Sequence, residues 1–337
     1  MQSIRSFLGG TVKVIQIFAG IFSGLVGFWI LYSKLSIEHQ APLPAALNAP
    51  QRMVPTRGGK VSYYADTTGE GTPLVLVHSI NAAASAFEMK PLFEYYRGKR
   101  PVYALDLPGF GFSARDKRVY SPQLYANAIF DFLDQALDEP ADVVALSLGS
   151  ELAARSALMY PDTVRSLAMI SPSGFALKPR EIPEETVKRA QNRHRLLAFP
   201  LWRRALFDLV ATRASIRWFL QRSFVGEPPQ SLEDYDFATA HQPGADHAPL
   251  YFISGLLFTP DARSVLYQRL EIPVLVLYDE DAYVSFDTLE MHVAQNDLWN
   301  AQRIAPTRGL PHWEALAETT AALNSFWAET VEALQHA

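Results

Sequence analysis

The sequence predicts an α/β fold with a mostly parallel, doubly wound sheet, a helical cap inserted into it, and one N-terminal transmembrane helix. Three observations support this fold class. Short apolar runs alternate with amphipathic stretches, the alternation is interrupted once in the second half of the chain, and a long apolar run lies near the N-terminus. Strands that alternate with helices of about 10 to 15 residues are typical of crossover units, which build parallel sheets.

The apolar run near the N-terminus covers residues 14–32 and reads VIQIFAGIFSGLVGFWILY. About 20 apolar residues are enough to cross the hydrocarbon core of a bilayer. Arg5 and Lys13 precede the run, which favours a cytoplasmic N-terminus and a main body on the non-cytoplasmic side. We therefore interpret residues 1–36 as a single-pass membrane anchor, with cleavage of the segment as a signal peptide left as the alternative.

Residues 37–58 are rich in proline and alanine and are predicted to form a linker, followed by the first part of the core at 59–177. Within it, the stretch PLVLVHS at 73–79 is a continuous apolar run of the kind found in strands that are buried on both faces. The second part of the core is predicted at 261–337. The predicted strands of both parts are 60–66, 73–79, 102–106, 142–147, 164–171, 272–280 and 300–306.

Residues 178–260 interrupt the alternation with helix-like stretches that carry many arginines and aromatic residues. An insertion at this point can form a cap over the carboxyl edge of the strands, where open parallel sheets bind their ligands. Basic and aromatic helices can also lie on an anionic membrane surface. The same pattern fits a cap whose apolar face covers the site while its arginines stay in solvent, and this is the interpretation we prefer.

The composition excludes several classes of site. The chain has 337 residues, a formal net charge of −5 and no cysteine. It therefore has no disulfide, thiolate metal ligand or cysteine nucleophile, and its charge offers no general attraction to nucleic acid. His241, Asp246 and His247 lack a further ligand at zinc-like spacing, so we interpret them as solvated loop residues. No metal, cofactor or nucleic-acid partner is expected, and the oligomeric state is left undetermined.

Ser147 lies at the junction of a predicted strand and a predicted helix, in the sequence ALSLGS. The residues two positions before and after it, Ala145 and Gly149, are both small. A nucleophile elbow needs this pattern, because a sharp turn from strand to helix crowds these two positions and exposes the serine hydroxyl above the sheet. The pattern indicates a serine nucleophile, which needs a base to take its proton during attack.

From about residue 58 onwards, the chain resembles the α/β-hydrolase superfamily. The resemblance implies the fold of that family, with a cap after the sixth strand and a triad in the chain order Ser, Asp, His. Ser147 would be the nucleophile, and His312, in GLPHWEALAE, would be the base. The acid would be Asp281 in YDEDAYVSFD, with Asp279 as the alternative. Strand 164–171, which corresponds to the sixth strand of the family, ends in ISPSGF and offers no carboxylate for the acid position found in some relatives.

The resemblance also implies that backbone N–H groups bind the oxyanion of the tetrahedral intermediate. One belongs to Leu148, directly after the nucleophile, and the other to Ile80, in the loop after the 73–79 strand. Ser79 stands where the family usually has glycine, and its hydroxyl is a candidate for a third donor. Ala145 also replaces the usual glycine of the elbow but keeps the position small.

Two other residues of the family pattern are expected to shape loops. We interpret His78 as a structural histidine of the loop that carries Ile80, and Asp106, in DLPGFG, as part of the glycine-rich turn after strand 102–106. A phosphate cradle is not indicated, because the spacing is not that of a Walker loop and no lysine follows.

These residues predict a serine hydrolase that cleaves a carboxylic ester through an acyl-enzyme. The apolar and aromatic cap favours an apolar acyl or alcohol group, so the expected partner is a small-molecule or lipid ester. Two alternatives remain open, because fold does not fix function. One is another reaction of the same fold, such as carbon–carbon bond hydrolysis or perhydrolysis, and the other is a non-catalytic binding protein with a vestigial triad.

Overall fold

The structure is a computed structural model that describes residues 23–177 and 184–335. Its strands are β1 (Gln51–Thr56), β2 (Gly59–Asp66), β3 (Leu74–Val77), β4 (Val102–Asp106), β5 (Ala141–Leu146), β6 (Val164–Ile170), β7 (Val274–Glu280) and β8 (Trp299–Arg308). They form one eight-stranded sheet in the order β1-β2-β4-β3-β5-β6-β7-β8. β2 pairs antiparallel with both β1 and β4, and all other neighbours are parallel.

Helices cover both faces of this sheet. They are α1 (residues 23–36), α2 (Lys90–Tyr96), α3 (Pro122–Ala136), α4 (Leu148–Met159), α5 (Glu184–Leu197), α6 (Arg203–Val210), α7 (Arg213–Arg222), α8 (Gln230–Ala240), α9 (His247–Ile253), α10 (Ala262–Val265), α11 (Leu289–Val293), α12 (Pro311–Glu314) and α13 (Leu316–Gln335).

Buried side chains form a hydrophobic cluster on each face of the sheet. Val75 of β3 lies in one cluster, with Phe132 of α3 and side chains of α4. Leu76, the next residue of β3, lies in the other, with Phe93 of α2 and side chains of α13. Successive side chains of a strand point to opposite faces, so the continuous apolar run of β3 fills both clusters. This confirms the prediction of a strand buried on both sides.

The seven predicted strands are confirmed, with each end within two residues of its predicted position. β1 is not among them, since it falls in the predicted linker 37–58, and that part of the prediction is corrected. The preceding chain is packed as well. Ala46 and Leu47 are buried, and the Ala46 N–H donates to the Tyr64 hydroxyl at 2.9 Å.

Between β6 and β7, the described chain forms α5 to α10 and no strand, which agrees with the helical insertion predicted there. Residues 178–183, at the predicted start of the insertion, lie outside the described residues. Tyr235 of α8 stacks on Phe87, with ring centroids 4.6 Å apart. Because Phe87 belongs to a short 3₁₀ helix that follows the loop after β3, the insertion covers the loop that is expected to bind the oxyanion.

Helix α1 contacts the insertion. Trp29 Nε1 donates to the Ala205 carbonyl at 2.7 Å, and the Ser33 hydroxyl donates to Asp208 Oδ2 at 2.5 Å, both in α6. Residues 14–22 of the predicted membrane span lie outside the described residues, and α1 covers the rest of the span. Within 23–177 and 184–335, no helix is both long enough and apolar enough to cross a membrane.

Candidate active site

Ser147 occupies a strained turn between β5 and α4. Its backbone angles are φ 50° and ψ −124°, a region that L-residues rarely adopt and that costs about 1–3 kcal/mol. Its N–H donates to the Ile170 carbonyl at 2.8 Å, which fixes the turn to the end of β6. The side chain is partly exposed, and its hydroxyl makes no hydrogen bond within the described chain. The predicted elbow geometry is therefore present.

Close packing explains the small residues that flank Ser147. A Cβ atom on Gly149 would lie 2.4 Å from the His78 carbonyl oxygen, a backbone atom that cannot move aside. Ala145 is fully buried, and its carbonyl accepts the Ser150 hydroxyl at 3.0 Å. Because Gly149 has no side chain, the start of α4 can lie directly against the loop after β3.

Two N–H groups, one directly after Ser147 and one in the loop after β3, are available to a ligand. Within the described residues, neither the Leu148 N–H nor the Ile80 N–H donates to another group of the chain. Leu148 is the first residue of α4, where the helix dipole favours negative charge. These two groups can serve as the predicted oxyanion donors.

Ser79 has a different role from the predicted third donor. Its hydroxyl donates to Glu88 Oε1 at 2.9 Å, and its N–H donates to Glu88 Oε2 at 2.8 Å. Asn81 Nδ2 donates to the same carboxylate at 2.7 Å. Because the only hydroxyl proton of Ser79 is engaged, the prediction of a third oxyanion donor is corrected.

Glu88 binds the loop after β3, and no sequence motif singles it out. It is fully buried, burial raises the pKa of its carboxyl, and three donors converge on it. Its position in the 3₁₀ helix Ala86–Met89 looks like an ordinary acidic residue of a helical stretch. Its carboxylate holds the loop that carries the Ile80 N–H.

His78 and Asp106 have the structural roles that the sequence predicts. His78 Nε2 accepts the Leu107 N–H at 2.8 Å, and Nδ1 donates to the Ser79 carbonyl at 2.5 Å. Burial lowers the pKa of His78 to about 4, so the ring is neutral at pH 7. Asp106 accepts the N–H groups of Ala86 and Phe112, both at 2.9 Å, and so joins the loops after β3 and β4.

The two candidate acids, Asp279 and Asp281, differ in the hydrogen bonds that they accept. Asp279 accepts Arg303 Nε at 2.6 Å and the Thr307 N–H at 2.8 Å, so both of its oxygens are bound to β8. Asp281 Oδ1 accepts the N–H groups of Tyr283 and Val284 at 2.7 and 3.1 Å. Asp281 Oδ2 accepts no hydrogen bond within the described residues.

The Asp281 side chain is therefore the one with an oxygen free to orient a base. It is partly exposed, and its burial raises the pKa of its carboxyl. This geometry favours Asp281 over Asp279 as the acid of the site.

Within the described residues, His312 makes no hydrogen bond with Asp281 or Ser147. It lies in α12 and is fully buried, and its Nε2 donates to the Glu88 carbonyl at 2.9 Å. Trp313 Nε1 donates to the same carbonyl at 2.7 Å. His312 Nδ1 is buried and has no partner among the described residues.

Burial lowers the pKa of His312 to about 4. Its place inside α12 directs the ring onto the backbone of the 3₁₀ helix Ala86–Met89. Neither ring nitrogen makes a hydrogen bond with Ser147 or Asp281 within the described residues, and the assignment of His312 as the base stays a prediction.

A cleft of about 440 Å³ opens at the carboxyl ends of β6 and β7. Its lining includes Ser173, Thr259 and Val284, and also Glu151, which lies one helical turn after Ser147. The Glu151 carboxylate accepts the Ser173 hydroxyl and, at 2.7 Å, the Thr259 N–H. The cleft can therefore hold a small or medium-sized organic group at this edge of the sheet, although Ser147 itself is not among its lining residues.

Residues 74–323, which contain the elbow, the acid loop and α12, match the model of the Alpha/beta hydrolase family. The chain belongs to the alpha/beta hydrolase family.

Two curated relatives illustrate the range of this family. The chain is 28% identical over 223 residues to the pimeloyl-[acyl-carrier protein] methyl ester esterase of Chromobacterium violaceum, which covers 65% of this alpha/beta hydrolase and 79% of the esterase. It is 31% identical over 140 residues to the human 1-acylglycerol-3-phosphate O-acyltransferase ABHD5, which covers 40% of this chain but only 36% of ABHD5.

Solved alpha/beta hydrolases share the fold of this chain. A serine hydrolase involved in carbazole degradation, the CarC enzyme, has a TM-score of 0.66 at 16% identity and matches 83% of this chain and 98% of its own. A membrane phospholipase A, described as a bacterial virulence factor, has a TM-score of 0.62 at 20% identity and matches 97% of this chain and 99% of its own.

Proposed function

We propose that this alpha/beta hydrolase binds a carboxylic ester with an apolar acyl or alcohol group and cleaves it slowly through an acyl-enzyme at Ser147. One observation supports this above all others. The Ser147 hydroxyl, which is on a strained elbow, and the N–H groups of Leu148 and Ile80 all lack a hydrogen-bond partner within the described chain. A carbonyl placed there would have its carbon at the hydroxyl and its oxygen at the two donors.

The rate of this arrangement should be low, because no histidine among the described residues makes a hydrogen bond to Ser147 or Asp281. In serine hydrolases, loss of a triad member leaves roughly 10³ to 10⁴ of rate enhancement over water, from the oxyanion donors and binding alone. The Ser147 proton would then pass to solvent during attack. The first step forms the Oγ–acyl bond and releases the alcohol, and water then hydrolyses the acyl group from Ser147.

The ester class is supported by the cleft and by the relatives. The cleft lining includes Phe258, Ala262 and Val284 as well as polar groups, which suits an apolar group next to a polar carbonyl. The Chromobacterium violaceum relative is named as a methyl ester esterase. We extend that bond type, and not its acyl-carrier substrate, to this chain.

Hydrolysis of p-nitrophenyl esters of increasing chain length tests the proposal. The wild type is expected to exceed the buffer rate, and Ser147→Ala is expected to remove that excess. Ser325→Ala is the matched control, because Ser325 is an exposed residue of α13 whose hydroxyl bonds Glu329. Equal rates in the wild type and a folded Ser147→Ala variant, for every chain length, would contradict the proposal.

A binding protein without acyl transfer is the second candidate, and the position of His312 on the Glu88 carbonyl favours it. Mass spectrometry of the intact protein after incubation with an activated ester separates the two. Acyl transfer predicts a mass increase of one acyl group that is located on Ser147. Binding alone predicts saturable displacement of the ester by its alcohol or acid, with no mass increase.

We also propose that residues 14–32 anchor the chain in a membrane, with the hydrolase body on the non-cytoplasmic side. The apolar run itself supports this, as does the likeness over 97% of the chain to a protein named as a membrane phospholipase A. Extraction of membranes at alkaline pH should leave the full-length chain in the pellet. Ile21→Arg, which costs about 3 kcal/mol at the centre of a span, should release it, and recovery of the wild type in the soluble fraction would exclude the anchor.

A further inference from the structure

The outward side of α6 is apolar. Ala205 and Asp208 of this helix are buried and accept hydrogen bonds from α1. Leu209 is 49% exposed, and Leu206 and Val210, which are half-buried, lie beside it at helical spacing. The outward side of a helix that faces water normally carries polar and charged residues. The buried side of the insertion therefore fits a cap, but its outward side needs a further explanation.

Helix α1 extends this apolar surface. It is bound to α6 by Trp29 and by Ser33, so the two helices lie next to each other. Large apolar or aromatic side chains are exposed on both the earlier and the later turns of α1. They are Leu25, Val26, Phe28, Leu31, Tyr32 and Leu35.

Helix α7, which contacts α6, continues the surface to the cleft. Trp218 and Phe219 of α7 are 51% and 44% exposed, and their ring centroids are 4.8 Å apart. The Tyr283 hydroxyl donates to the Phe219 carbonyl at 3.2 Å. Tyr283 is itself 53% exposed and lines the cleft of about 440 Å³. We call the exposed side chains of α1, α6 and α7, together with Tyr283, the apolar face.

Positive charge surrounds the apolar face. Residues 184–225 contain nine lysines and arginines but three acidic residues, whereas the whole chain has a formal net charge of −5. Lys188 and Arg195 of α5 are exposed and make no ion pair within the described residues. The Arg222 guanidinium lies 4.7 Å from the Trp218 ring centroid. Apolar and aromatic groups among basic residues are the combination that binds the surface of an anionic bilayer.

The position of α1 points to a bilayer as the occupant. Residues 14–32 form the apolar run that we propose as the membrane anchor, and α1 contains the end of that run. Trp29 and Tyr32 lie in this part, and such residues are enriched at the membrane–water interface. Since Trp29 is bonded to the Ala205 carbonyl, an anchor that crosses the bilayer places α6 at the level of the lipid headgroups.

We propose, building on the membrane anchor above, that the apolar face is a second membrane contact, which lies on a bilayer that contains anionic lipids. Its apolar side chains reach the boundary of the headgroups and acyl chains, and the arginines around it bind lipid phosphates. Because Tyr283 belongs both to this face and to the cleft, the rim of the cleft lies at the lipid surface. An ester dissolved in the bilayer then reaches the cleft without crossing water.

Single cysteines test this contact in the full-length chain, which has no cysteine of its own. Leu209→Cys and Trp218→Cys each carry an environment-sensitive fluorophore, and the chain is placed in vesicles that contain phosphatidylglycerol. Both labels are expected to emit at shorter wavelength and to be quenched by lipids that carry a quencher near the headgroup. Met159→Cys is the control, since Met159 is an exposed residue at the end of α4, away from the carboxyl edge of the sheet. Its label is expected to stay in water.

A chain without its anchor tests the charge of the apolar face. Ile21→Arg is expected to release the full-length chain from the anchor, and its remaining binding to vesicles should require phosphatidylglycerol. Adding Arg195→Gln should weaken this binding about fivefold, which corresponds to about 1 kcal/mol for one basic residue near an anionic surface. Adding Arg52→Gln, at an exposed position of β1, is the control and should leave the binding unchanged.

The outcomes distinguish this membrane contact from the proposals above. Labels at 209 and 218 that stay in water, while alkaline extraction leaves the chain in the membrane, would overturn the contact and leave the anchor standing. If the wild type is soluble, the anchor is excluded, and phosphatidylglycerol-dependent shielding of both labels decides for or against the contact. Shielding that depends on protein concentration and needs no lipid would assign the face to a second copy of the chain instead. Ester hydrolysis is not a readout here, so its absence would count only against the proposed activity.

Discussion

His312→Gln tests whether the buried histidine of α12 is a structural group or a base. Glutamine retains an N–H donor for the Glu88 carbonyl and cannot be protonated. The pKa of His312 is lowered from 6.5 to about 4 by burial, so the folded chain stays neutral where the unfolded chain is already charged. Because the unfolded state then binds more protons, wild-type stability falls as the pH falls from about 6.5 to 4.

The magnitude follows from the size of the shift. One pKa unit corresponds to about 1.4 kcal/mol, so His312 contributes about 3 kcal/mol to the loss of stability across this window. His78 has the same shift and contributes a similar amount. Urea unfolding at pH 7 and at pH 4.5 should therefore show an acid-dependent loss that is smaller in His312→Gln than in the wild type by about 3 kcal/mol. Above pH 7 the two proteins should differ by about 1 kcal/mol or less, since one hydrogen bond replaces another.

The activity of the same variant provides the second readout. Serine-dependent ester hydrolysis should be retained in His312→Gln, because the ring contacts neither the nucleophile nor Asp281. A fall in kcat of several orders of magnitude, with the protein still folded, would show that His312 carries the proton after all. An unchanged acid-dependent slope would show that its neutral buried state does not contribute to stability.

Three other substitutions test the remaining contacts. Glu88→Gln replaces a carboxylate oxygen that accepts hydrogen bonds by an amide group that donates them, so the free energy of unfolding should fall by about 1–3 kcal/mol and the serine-dependent rate by about 10². Urea unfolding and ester hydrolysis measure these two effects. Glu94→Gln, at a partly exposed ion pair, is the control and should change neither. Gly149→Ala would bring a Cβ to 2.4 Å from the His78 carbonyl, so thermal unfolding should show a loss of about 1–3 kcal/mol, and a neutral result would refute the close approach. Asp208→Asn weakens the hydrogen bond with Ser33 of α1 and the ion pair with Arg204 of α6. Limited proteolysis should therefore cleave the chain between α1 and β1 faster than in the wild type. An unchanged cleavage rate would show that Asp208 does not hold α1 in place.

The parallel core could be predicted because its constraints are local. A strand such as β3 is buried on both faces, and its four residues are all apolar. β1 could not be recognised in the same way. It reads QRMVPT, only Val54 is buried, and it lies at the edge of the sheet, where Pro55 is tolerated. Its pairing with β2 is set by tertiary contacts that a single sequence does not display.

The candidate site shows the same division. Ser147 was predictable because the small residues around it are required by the turn itself. The hydrogen-bond partner of His312 was not, since only the geometry of α12 directs its ring onto the Glu88 carbonyl. Glu88 was also beyond reach, because its importance lies in three hydrogen bonds to a loop and not in any motif.

The contact of α1 with α6 links the N-terminal helix to the helical insertion. The fully buried carboxylate of Asp208 is shared by Ser33 of α1, by His39 just after it, and by Arg204 of its own helix. Lifting α6 would break the hydrogen bonds of Asp208 with Ser33 and His39, while its ion pair with Arg204 of the same helix would remain. A hydrogen bond to a charged group contributes about 1.5–3 kcal/mol, so a displacement of α6 is coupled to a displacement of the N-terminal helix.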